Sequence, residues 1–500
     1  MRLVVVAPLF AGLAAACSKS AKPAPADAAP FAVSILPAAP ADPRFPLAEL
    51  PTRMVDPSAF PKAPPPYAAA KGRREVHVKA GEKGPGTAQK PSGDLRAAVE
   101  KARKGDVVWV HDGTYKVGAS DDEFALRLAH PGVTLAAAPG AKPVLLPGGE
   151  AGYGLSLEAD DLVVDGFSLR GFRQASVYFG KREGTVKNVV LARVRIEGGI
   201  DGIRSIPREG GDDAAPVVRG LLVFDATIEG AQIGFNCGEG PCNDVRLERV
   251  RVRGARKAGE KGEGSGEDAI AFERGDNVAI VGAEVQKVGA DGIDVKATRV
   301  AIVASAVRGV GRNGIKLWHG GDVVNCLVHG TGADAAIVLD GGGDYRILHT
   351  TVAHHAVGFD SYALTAGYDH ADDKGTLRIV SSIFAENGGP VWVSRGLALE
   401  VIDSSFSGSR NKLEIVRGTE PEITVGPGGG KPDVLGKASR GVHIDEPPRF
   451  VDPKAGNYHL APQSPARDQG QPDAPYPTTD LDGRPRVQGA AADLGCYEGG

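Results

Sequence analysis

Acidic, basic and aromatic residues recur at equivalent positions of a short repeated phrase between residues 268 and 362. The phrase reads small residue, bulky apolar anchor, any residue, apolar residue, any residue, and it aligns without gaps at four anchors that are each 22 residues apart: Ile293, Ile315, Ile337 and Phe359. The chemistry-bearing side chains lie two places before the anchor, one place after it or three places after it: Asp268, Asp291, Asn313, Asp294, Lys316, Asp360, Glu273, Lys296, Trp318, Asp340 and Tyr362. Carboxylates bind hard cations and lysines exchange protons, so a patch of these groups could perform acid–base chemistry beside a bound cation.

The repeat also predicts the architecture that would bring these side chains together. The same phrase recurs on both sides of the four anchors, around Leu126, Leu155, Val177, Ile203, Phe235, Ile270 and Val391. Repetition at a nearly fixed spacing indicates one supersecondary unit stacked many times. Apolar residues alternate with a period of two inside each phrase, which is typical of strands, and a second apolar strand follows the first. We therefore predict an all-β fold, a single-stranded right-handed parallel β-helix of about eleven coils, because a β-sandwich would not keep this register.

Stacking of the coils would place charged side chains in vertical contact. Adjacent strands lie about 4.8 Å apart, so Asp294 should lie beneath Lys316, and Lys296 beneath Trp318. Two simpler interpretations stay open: stacked opposite charges can be cross-strand pairs that contribute about 1 kcal/mol or less, and Asp291-Gly292 can be a turn dipeptide. Neither explains why acids, lysines and aromatics converge on one face of these coils. The coils between residues 126 and 177 carry much less charge at the same positions.

This region resembles the calcium-dependent polysaccharide lyases of the β-helix superfamily, most of all the group that contains chondroitinase B and alginate lyases. The resemblance lies in Asp291-Gly292-Ile293-Asp294-Val295-Lys296, where an acidic residue opens a strand whose last outward residue is lysine, and in Trp318-His319-Gly320, which stands where that group has Arg-His-Gly. It implies that Asp291 is a calcium ligand, that Lys296 is the Brønsted base and that His319 lies near the site. Trp318 departs from the arginine of that group, and Lys316 is the candidate that could supply the proton in its place.

The resemblance implies β-elimination from an acidic, uronate-containing polysaccharide. Calcium would neutralise the substrate carboxylate, and a lysine close to other cations can have its pKa lowered enough to remove the neighbouring proton. We expect Asp268, Asp291 and Glu267 to hold the calcium ion. The substrate-binding candidates are Asp294, Trp318, Tyr362, Arg204, Asp340 and Asp360.

Two other functions stay open. A glycoside hydrolase on the same scaffold could use Asp268, Asp291 or Asp294 as a carboxylate pair, and a non-catalytic protein could bind carbohydrate without cleaving it. The sequence contains no P-loop, dinucleotide fingerprint or nucleic-acid-binding module. The formal net charge is only −4, so any attraction of a polyanion must be local. We expect a monomer.

The N-terminus predicts a lipid-anchored protein outside the cytoplasm. Residues 1–17 have the layout of a secretory signal, and Leu13-Ala14-Ala15-Ala16-Cys17 resembles the lipobox of bacterial lipoproteins, which implies that Cys17 is lipidated. Residues 18–70 are rich in Ala and Pro and predict an extended, disordered tether. We expect the membrane to be contacted only through this lipid, at the outer membrane or the cell surface.

The remaining chain is predicted to be one solenoid with protected ends. We expect a capping helix at residues 94–103, a β-helix over 71–410 and a loop-rich tail over 411–500 that packs on the last coils, as in secreted bacterial pectate lyase-like proteins. Extra residues at 208–216, 256–267 and 364–375 predict loops beside the binding face. Cys237 and Cys242 flank a tight loop that a disulfide could close, which would suit an oxidising compartment.

Overall fold

The computed structural model describes most of the chain from residue 54 onwards, namely residues 54–62, 74–118, 123–149, 151–206, 215–255, 267–332, 334–355, 362–367, 374–389, 391–394, 396–407, 413–415, 423–425, 438–444, 446–471 and 477–499. In these ranges, 35 strands form one continuous parallel sheet. Their pairings follow three vertical ladders, and each successive strand pairs with its equivalent in the next coil. The protein is therefore a parallel β-helix, as the repeat predicts.

The first ladder carries the repeated phrase. Its eleven strands are Phe124–Leu128, Tyr153–Leu157, Ala175–Phe179, Asp201–Ser205, Ile233–Cys237, Ile270–Phe272, Ile293–Val303, Ile315–His319, Ala335–Leu339, Tyr362–Ala366 and Val391–Val393. Anchors such as Ile293, Ile315 and Ile337 point inward and are completely buried. The residue after each anchor points outward, because successive side chains of a strand lie on opposite faces. This ladder therefore displays the predicted polar columns.

Two further ladders complete the coils. The second consists of Glu75–Val78, Val107–Val110, Thr134–Ala137, Val163–Asp165, Val186–Ala192, Val218–Phe224, Cys242–Glu248, Gly275–Val281, the second half of Ile293–Val303, Gly321–Val324, Gly343–Leu348, Gly375–Val380 and Leu397–Ser407. The third consists of Thr114–Val117, Val144–Pro147, Ser168–Arg170, Arg195–Glu197, Thr227–Glu229, Arg251–Arg253, Glu284–Val288, Ala306–Val310, Leu327–His329, Thr351–Ala353, Ile383–Ala385, the end of Leu397–Ser407 and Arg440–Ile444. Antiparallel pairs join Leu413–Ile415 to Ile423–Val425 and Phe450–Asp452 to Asn457–Leu460.

The small residue before each anchor has a steric reason that is clearest at Gly292. A Cβ atom built there would lie 2.6 Å from the carbonyl oxygen of Gly314 and 2.6 Å from Cγ1 of Val307. Such a separation is far below van der Waals contact, so a larger side chain would push successive coils apart. The glycine thus lets the coil that carries Asp291 and Asp294 lie close to the next coil, which carries Lys316.

The register confirms three of the four gapless anchors and corrects the last one. Ile293 pairs with Ile315, and Ile315 pairs with Ile337. Ile337 then pairs with Leu364, so the anchor of the next coil is Leu364 and not Phe359. The sequence is ambiguous here because Ala363-Leu364-Thr365-Ala366 matches the same phrase five residues later. The coil contains extra residues before this anchor, and Phe359 itself lies outside the described residues.

Further segments pack on the solenoid at its first coil and along the side of its late coils. The helix expected at residues 94–103 spans Leu95–Glu100, and the side chain of its N-cap, Asp94, accepts a hydrogen bond from Ala97 N. At the other end, residues from the C-terminal tail pack laterally on the late coils in two apolar clusters that contain Tyr458, Leu481 and Tyr497 in one and Leu460 and Leu494 in the other. The predicted disulfide between Cys237 and Cys242 is present, with the two Cα atoms 6.4 Å apart.

A short segment before the solenoid departs from the prediction of a disordered tether. Val55 and Phe60 are buried against the second ladder, where they contact Ala279, Ala301 and Val324, among others. The backbone N–H of Asp56 also donates a hydrogen bond of 2.7 Å to Asn277 Oδ1. We call residues 54–62 the strap. Cys17 and the rest of the predicted signal and tether lie outside the described residues, and within the described part no helix is long and apolar enough to cross a membrane.

Candidate active site

Three polar residues two places before the anchors tie consecutive coils together. Asp268 Oδ1 accepts a hydrogen bond of 3.0 Å from the backbone N–H of Asp291, and Asp291 Oδ1 accepts one of 2.9 Å from that of Asn313. Asn313 continues the series, because its Oδ1 accepts a hydrogen bond of 2.9 Å from the N–H of Ala335. These side chains therefore stabilise the backbone of the next coil and are held rigidly by it.

The next column completes a compact acidic cluster. Carboxylate oxygens of Asp268, Asp291 and Asp294 all lie within 4.8 Å of one another, and the last two residues are buried. Lys316 stacks directly on Asp294, as predicted. Its Nζ lies 3.1 Å from Asp291 Oδ2 and 3.2 Å from Asp294 Oδ2. We call these four residues the acidic cluster.

Trp318, Lys296 and Glu273 form one edge of the acidic cluster. Trp318 Nε1 donates a hydrogen bond of 2.8 Å to Asp294 Oδ1. The Nζ atoms of Lys296 and Lys316 lie 5.6 and 5.3 Å from the centroid of the Trp318 ring, so both lysine side chains lie close to the indole. Lys296 Nζ also donates a hydrogen bond of 2.6 Å to Glu273 Oε2. The register of strand Ile293–Val303 shifts between Val295 and Thr298, which is a bulge beside Lys296.

The electrostatics of the acidic cluster reflect an excess of negative charge. Burial, together with the charges of Asp291 and Asp294, raises the pKa of Asp268 to about 7. Burial also raises the pKa of Asp294, although Lys316 and the hydrogen bond from Trp318 oppose this rise. Burial disfavours the charged form of Lys316, but Asp291 and Asp294 outweigh it and raise the pKa of the lysine. Lys316 is therefore an ammonium group at neutral pH, and it neutralises one of the three carboxylates.

The donor set suits a hard divalent cation. Calcium takes about 6–8 oxygen ligands, among them carboxylates and water, and the three clustered carboxylates provide the charged part of such a set. Asp268 has the raised pKa of a carboxylate that lacks a cation of its own, while Asp291 and Asp294 share Lys316. The residues thus fit calcium. Asp268 would contribute the carboxylate that is least engaged by Lys316.

The carboxylates that lie close together differ in one member from the predicted metal set. Glu267 is exposed, and the group of carboxylates close enough to share an ion contains Asp294 in its place. Asp294 was expected to bind substrate. The physical reason is that Asp268 and Asp291 occupy equivalent places on successive coils. Asp294, the outward residue of the same coil as Asp291, turns toward them, whereas Glu267 does not.

Other predicted residues lie apart from the acidic cluster. His319 is exposed at the end of its strand, and in the described part of the chain no hydrogen bond or ion pair connects it to the acidic cluster. Arg204 occupies the same outward column three coils earlier, through the pairs with Asn236 and Ala271. It is held there by Asp201 at 3.0 Å and by Glu239.

The remaining substrate-binding candidates are affected by burial and by the corrected register. Asp340 is buried and does not face the solvent. Tyr362 pairs with Ala335, two places before the anchors, and so it is not in the column of Trp318. Asp360 lies outside the described residues, as do most residues of the three predicted loops. Leu364 is a buried anchor rather than the start of a loop.

Two contributors were present in the predicted columns without being recognised as part of the site. Glu273 holds Lys296, and Asn313 donates an Nδ2–H bond of 2.9 Å to Asp291 Oδ1. The repeat itself could have identified both residues. Glu273 and Asn313 occupy the positions equivalent to Lys296 and Asp291 on a neighbouring coil.

The chain is similar to several solved structures at low sequence identity. No known family model and no curated protein matches the sequence. Among solved structures, pectate lyase Pel9A shares 13% identity over 85% of this chain and 96% of its own, with a TM-score of 0.48. A polysaccharide lyase of family PL6 from Pseudopedobacter saltans shares 14% over 79% of this chain and 98% of its own, with a TM-score of 0.37. A GH136 lacto-N-biosidase from Eubacterium ramulus shares 12% over 74% and 68%, with a TM-score of 0.40.

Proposed function

We propose that this protein is a calcium-dependent polysaccharide lyase that cleaves a uronate-containing polymer by β-elimination. The observation that carries the proposal is the acidic cluster: three carboxylates within 4.8 Å of one another, with Lys316 bound to two of them. Lys296 and Trp318 stand at its edge on the same outward face. A solenoid surface needs no such concentration of buried charge for stability, because desolvating ions costs more than ordinary polar contacts return.

Each of these side chains has a separate proposed role in the elimination. Asp268, Asp291 and Asp294 would hold the calcium ion, which when bound neutralises the substrate carboxylate and makes the neighbouring proton more acidic. Lys296, in its neutral amine form, is the proposed base that removes this proton and becomes an ammonium group. Lys316, which carries its proton at neutral pH, is the proposed donor to the leaving oxygen. Trp318, which lies close to both lysines, is the proposed ring on which a sugar could stack.

The direct test incubates the purified protein with alginate, chondroitin and pectate, with and without a calcium chelator. We expect unsaturated products from one of these polymers, detected by their ultraviolet absorbance, and their loss on chelation. The Lys296→Ala variant should lose roughly a hundredfold to ten-thousandfold in rate, because a general base contributes about that much. Lys187→Ala, which removes an exposed lysine from the second ladder, is the matched control. Full activity of the Lys296→Ala variant would exclude this mechanism.

A glycoside hydrolase is the second candidate, and the raised pKa of Asp268 favours it. A carboxyl group with a pKa of about 7 can act as a general acid, and other carboxylates lie within 4.8 Å of it. Retaining glycosidases place their two carboxyl groups about 5–5.5 Å apart. Saturated reducing ends that form without calcium would support the hydrolase. Binding of a polymer without any cleavage would support a non-catalytic carbohydrate-binding protein.

We also propose that Cys17 carries a lipid that anchors the protein to the bacterial cell envelope. The lipobox-like sequence before Cys17 and the Pro- and Ala-rich segment after it support this location. Metabolic labelling with a fatty acid in bacterial cells tests the proposal. Label should be incorporated into the wild-type chain and not into the Cys17→Ser variant, and label retained by that variant would contradict it.

A further inference from the structure

A concave pocket lies on the first ladder at the opposite end from the late coils. It has a volume of about 520 Å³, within the range of roughly 300–1,000 Å³ that is usual for small-molecule sites. Phe124, Tyr153 and Tyr178 line it, and Arg127, Lys181 and Glu158 line it as well. We call this the aromatic pocket. It shares no residue with the acidic cluster.

The three rings of the aromatic pocket contact one another. The Phe124 and Tyr153 rings stack with centroids 4.9 Å apart and an interplanar angle of 21°. The Tyr178 ring lies 4.9 Å from that of Tyr153 and 5.7 Å from that of Phe124. Phe124 and Tyr178 are buried, whereas Tyr153 stays partly exposed. Tyr153 is therefore the ring that a ligand would meet first.

Charged groups are held in place around these rings. The Arg127 guanidinium lies 4.2 Å from the centroid of the Phe124 ring and forms an ion pair of 2.8 Å with Glu158. Ser156 Oγ also donates a hydrogen bond to Glu158. Lys181 Nζ lies 3.6 Å from Asp160 Oδ1. The lining thus carries fixed charges of both signs, and Arg127 and Lys181 are held at its rim by Glu158 and Asp160, where they can bind the polar substituents of a ligand.

The aromatic pocket and the acidic cluster are built on the same two outward columns. Phe124 and Tyr153 stand two places before their anchors, as do Asp268 and Asp291. Tyr178 stands one place after its anchor, and the register continues from it through Arg204, Asn236 and Ala271 to Asp294. Tyr178 is therefore four coils away from Asp294, which corresponds to about 19 Å at ~4.8 Å per coil. One extended chain that follows the axis could therefore touch both sites.

The class of ligand follows from the surface chemistry. The faces of aromatic rings carry negative potential and attract C–H groups, which carry a partial positive charge. Such C–H groups line the flat faces of a pyranose ring. An apolar wall with a few fixed polar groups at its rim is the usual composition of a small-molecule site. Outward aromatic residues are not needed for coil stacking, because the buried anchors Leu126, Leu155 and Val177 already supply it.

We propose that the aromatic pocket is a remote subsite that binds a uronate ring of the same polymer that the acidic cluster cleaves, with the ring stacked on Tyr153. The inference rests on the proposed function for the identity of the polymer. It makes a further statement about substrate length. Short oligosaccharides occupy only the acidic cluster, whereas long chains also fill the aromatic pocket, so the pocket selects long chains.

The test compares the full-length wild type with three variants, Tyr153→Ala, Tyr153→Phe and Lys181→Ala, on the polymer that the protein cleaves and on its trisaccharide and tetrasaccharide. In the Tyr153→Ala variant we expect KM for the polymer to rise roughly tenfold, the equivalent of losing one aromatic stacking contact. KM for the short oligosaccharides and kcat for both should stay unchanged. Tyr153→Phe should restore the wild-type value because it keeps the ring. Lys181→Ala should also raise KM for the polymer, whereas the control Lys187→Ala should not.

Two outcomes separate this inference from a structural role and from the proposed function. If the rings only stabilise the early coils, Tyr153→Ala will lower the melting temperature and affect short and long substrates equally, which would overturn the inference. Binding of alginate, chondroitin and pectate is also measured by titration calorimetry in the presence of a chelator, independently of cleavage. Weaker polymer binding by Tyr153→Ala would support the aromatic pocket even if no polymer is cleaved. Unchanged binding and unchanged KM would overturn the inference while leaving the proposed lyase intact.

Discussion

At the scale of single residues, the site depends on the balance between three carboxylates and one ammonium group. Lys316 makes ion pairs of 3.1 and 3.2 Å with Asp291 and Asp294, and both carboxylates are buried. Buried ion pairs contribute little net stability when complete, but loss of one partner leaves an uncompensated charge in a poorly solvated place. Lys316 therefore has a structural role that any catalytic measurement must separate from its role as proton donor.

The Lys316→Met variant should be destabilised by roughly 3 kcal/mol, because it leaves Asp291 and Asp294 without their ammonium partner. Urea unfolding in the absence of calcium measures this change. Added calcium should restore much of the loss, since the ion can replace the missing positive charge. The double variant Lys316→Met/Asp291→Asn should recover stability without calcium. If Lys316→Met alone unfolds like the wild type, the ion pairs contribute no stability at this site.

The pH dependence of calcium binding should report Asp268. Its pKa in the folded protein is raised to about 7 from 3.8, so the folded state binds this proton more tightly than the unfolded state does. The stabilisation from that proton is complete below pH 3.8 and is lost as the pH rises through about 7. A cation that binds the same carboxylate must displace the proton.

Calcium affinity should therefore increase as the pH rises and level off above about 7, with close to one proton released per ion on the acidic side. Calorimetry in buffers of different ionisation enthalpy measures the proton release directly. The Asp268→Asn variant should bind calcium more weakly and release no proton. An affinity that is the same at pH 5 and pH 8 would contradict the assignment of Asp268 as a ligand.

At the scale of the elements, the vertical spacing of strands was predictable and the lateral details were not. The pairs Asp294–Lys316 and Lys296–Trp318 follow from the repeat, because the period of the anchors fixes which residues stack. The hydrogen bonds that Asp268 and Asp291 accept from the backbone of the next coil do not follow from it, since they depend on the conformation of each turn. The anchor at Leu364 was missed because two phrases five residues apart satisfy the same pattern. Periodicity identifies the coil but cannot choose between two equally apolar alignments.

Gly292 offers a test of how strongly the spacing of the strands controls the site. In the Gly292→Ala variant the new Cβ would clash with Gly314 O and Val307 Cγ1, each 2.6 Å away, and we expect a loss of about 1–3 kcal/mol from overpacking. Calcium affinity should fall as well, because Asp291 and Asp294 flank this glycine. The matched control is Gly152→Ala, where the nearest atom is the flexible Gln174 Cγ at 3.3 Å. Equal stability of the two variants would show that the coils absorb the extra atom.

At the scale of the whole molecule, the β-helix is a stack in which each coil contacts its neighbours, so damage should stay local unless a segment connects distant coils. The strap is such a segment, since it precedes the first coil in sequence and yet packs on strands from the later ones. Composition could not predict it, because a Pro- and Ala-rich stretch is typical of a tether, whereas docking depends on individual apolar side chains such as Val55 and Phe60.

The Phe60→Ala variant should release the strap while leaving the solenoid folded. Truncation of a buried phenylalanine costs roughly 3–5 kcal/mol, which exceeds what the few remaining contacts of so short a segment can supply. Hydrogen exchange should therefore become faster in residues 54–62 and in the strand residues that they cover, which include Ala279, Ala301 and Val324. The first coils, around Leu126 and Leu155, should keep their protection, because they contact only their own neighbours. Val451→Ala, which truncates an exposed valine, is the control and should change nothing. Faster exchange throughout the molecule would instead mean that the strap holds the whole stack together, and the solenoid would then be a single cooperative unit rather than a series of local ones.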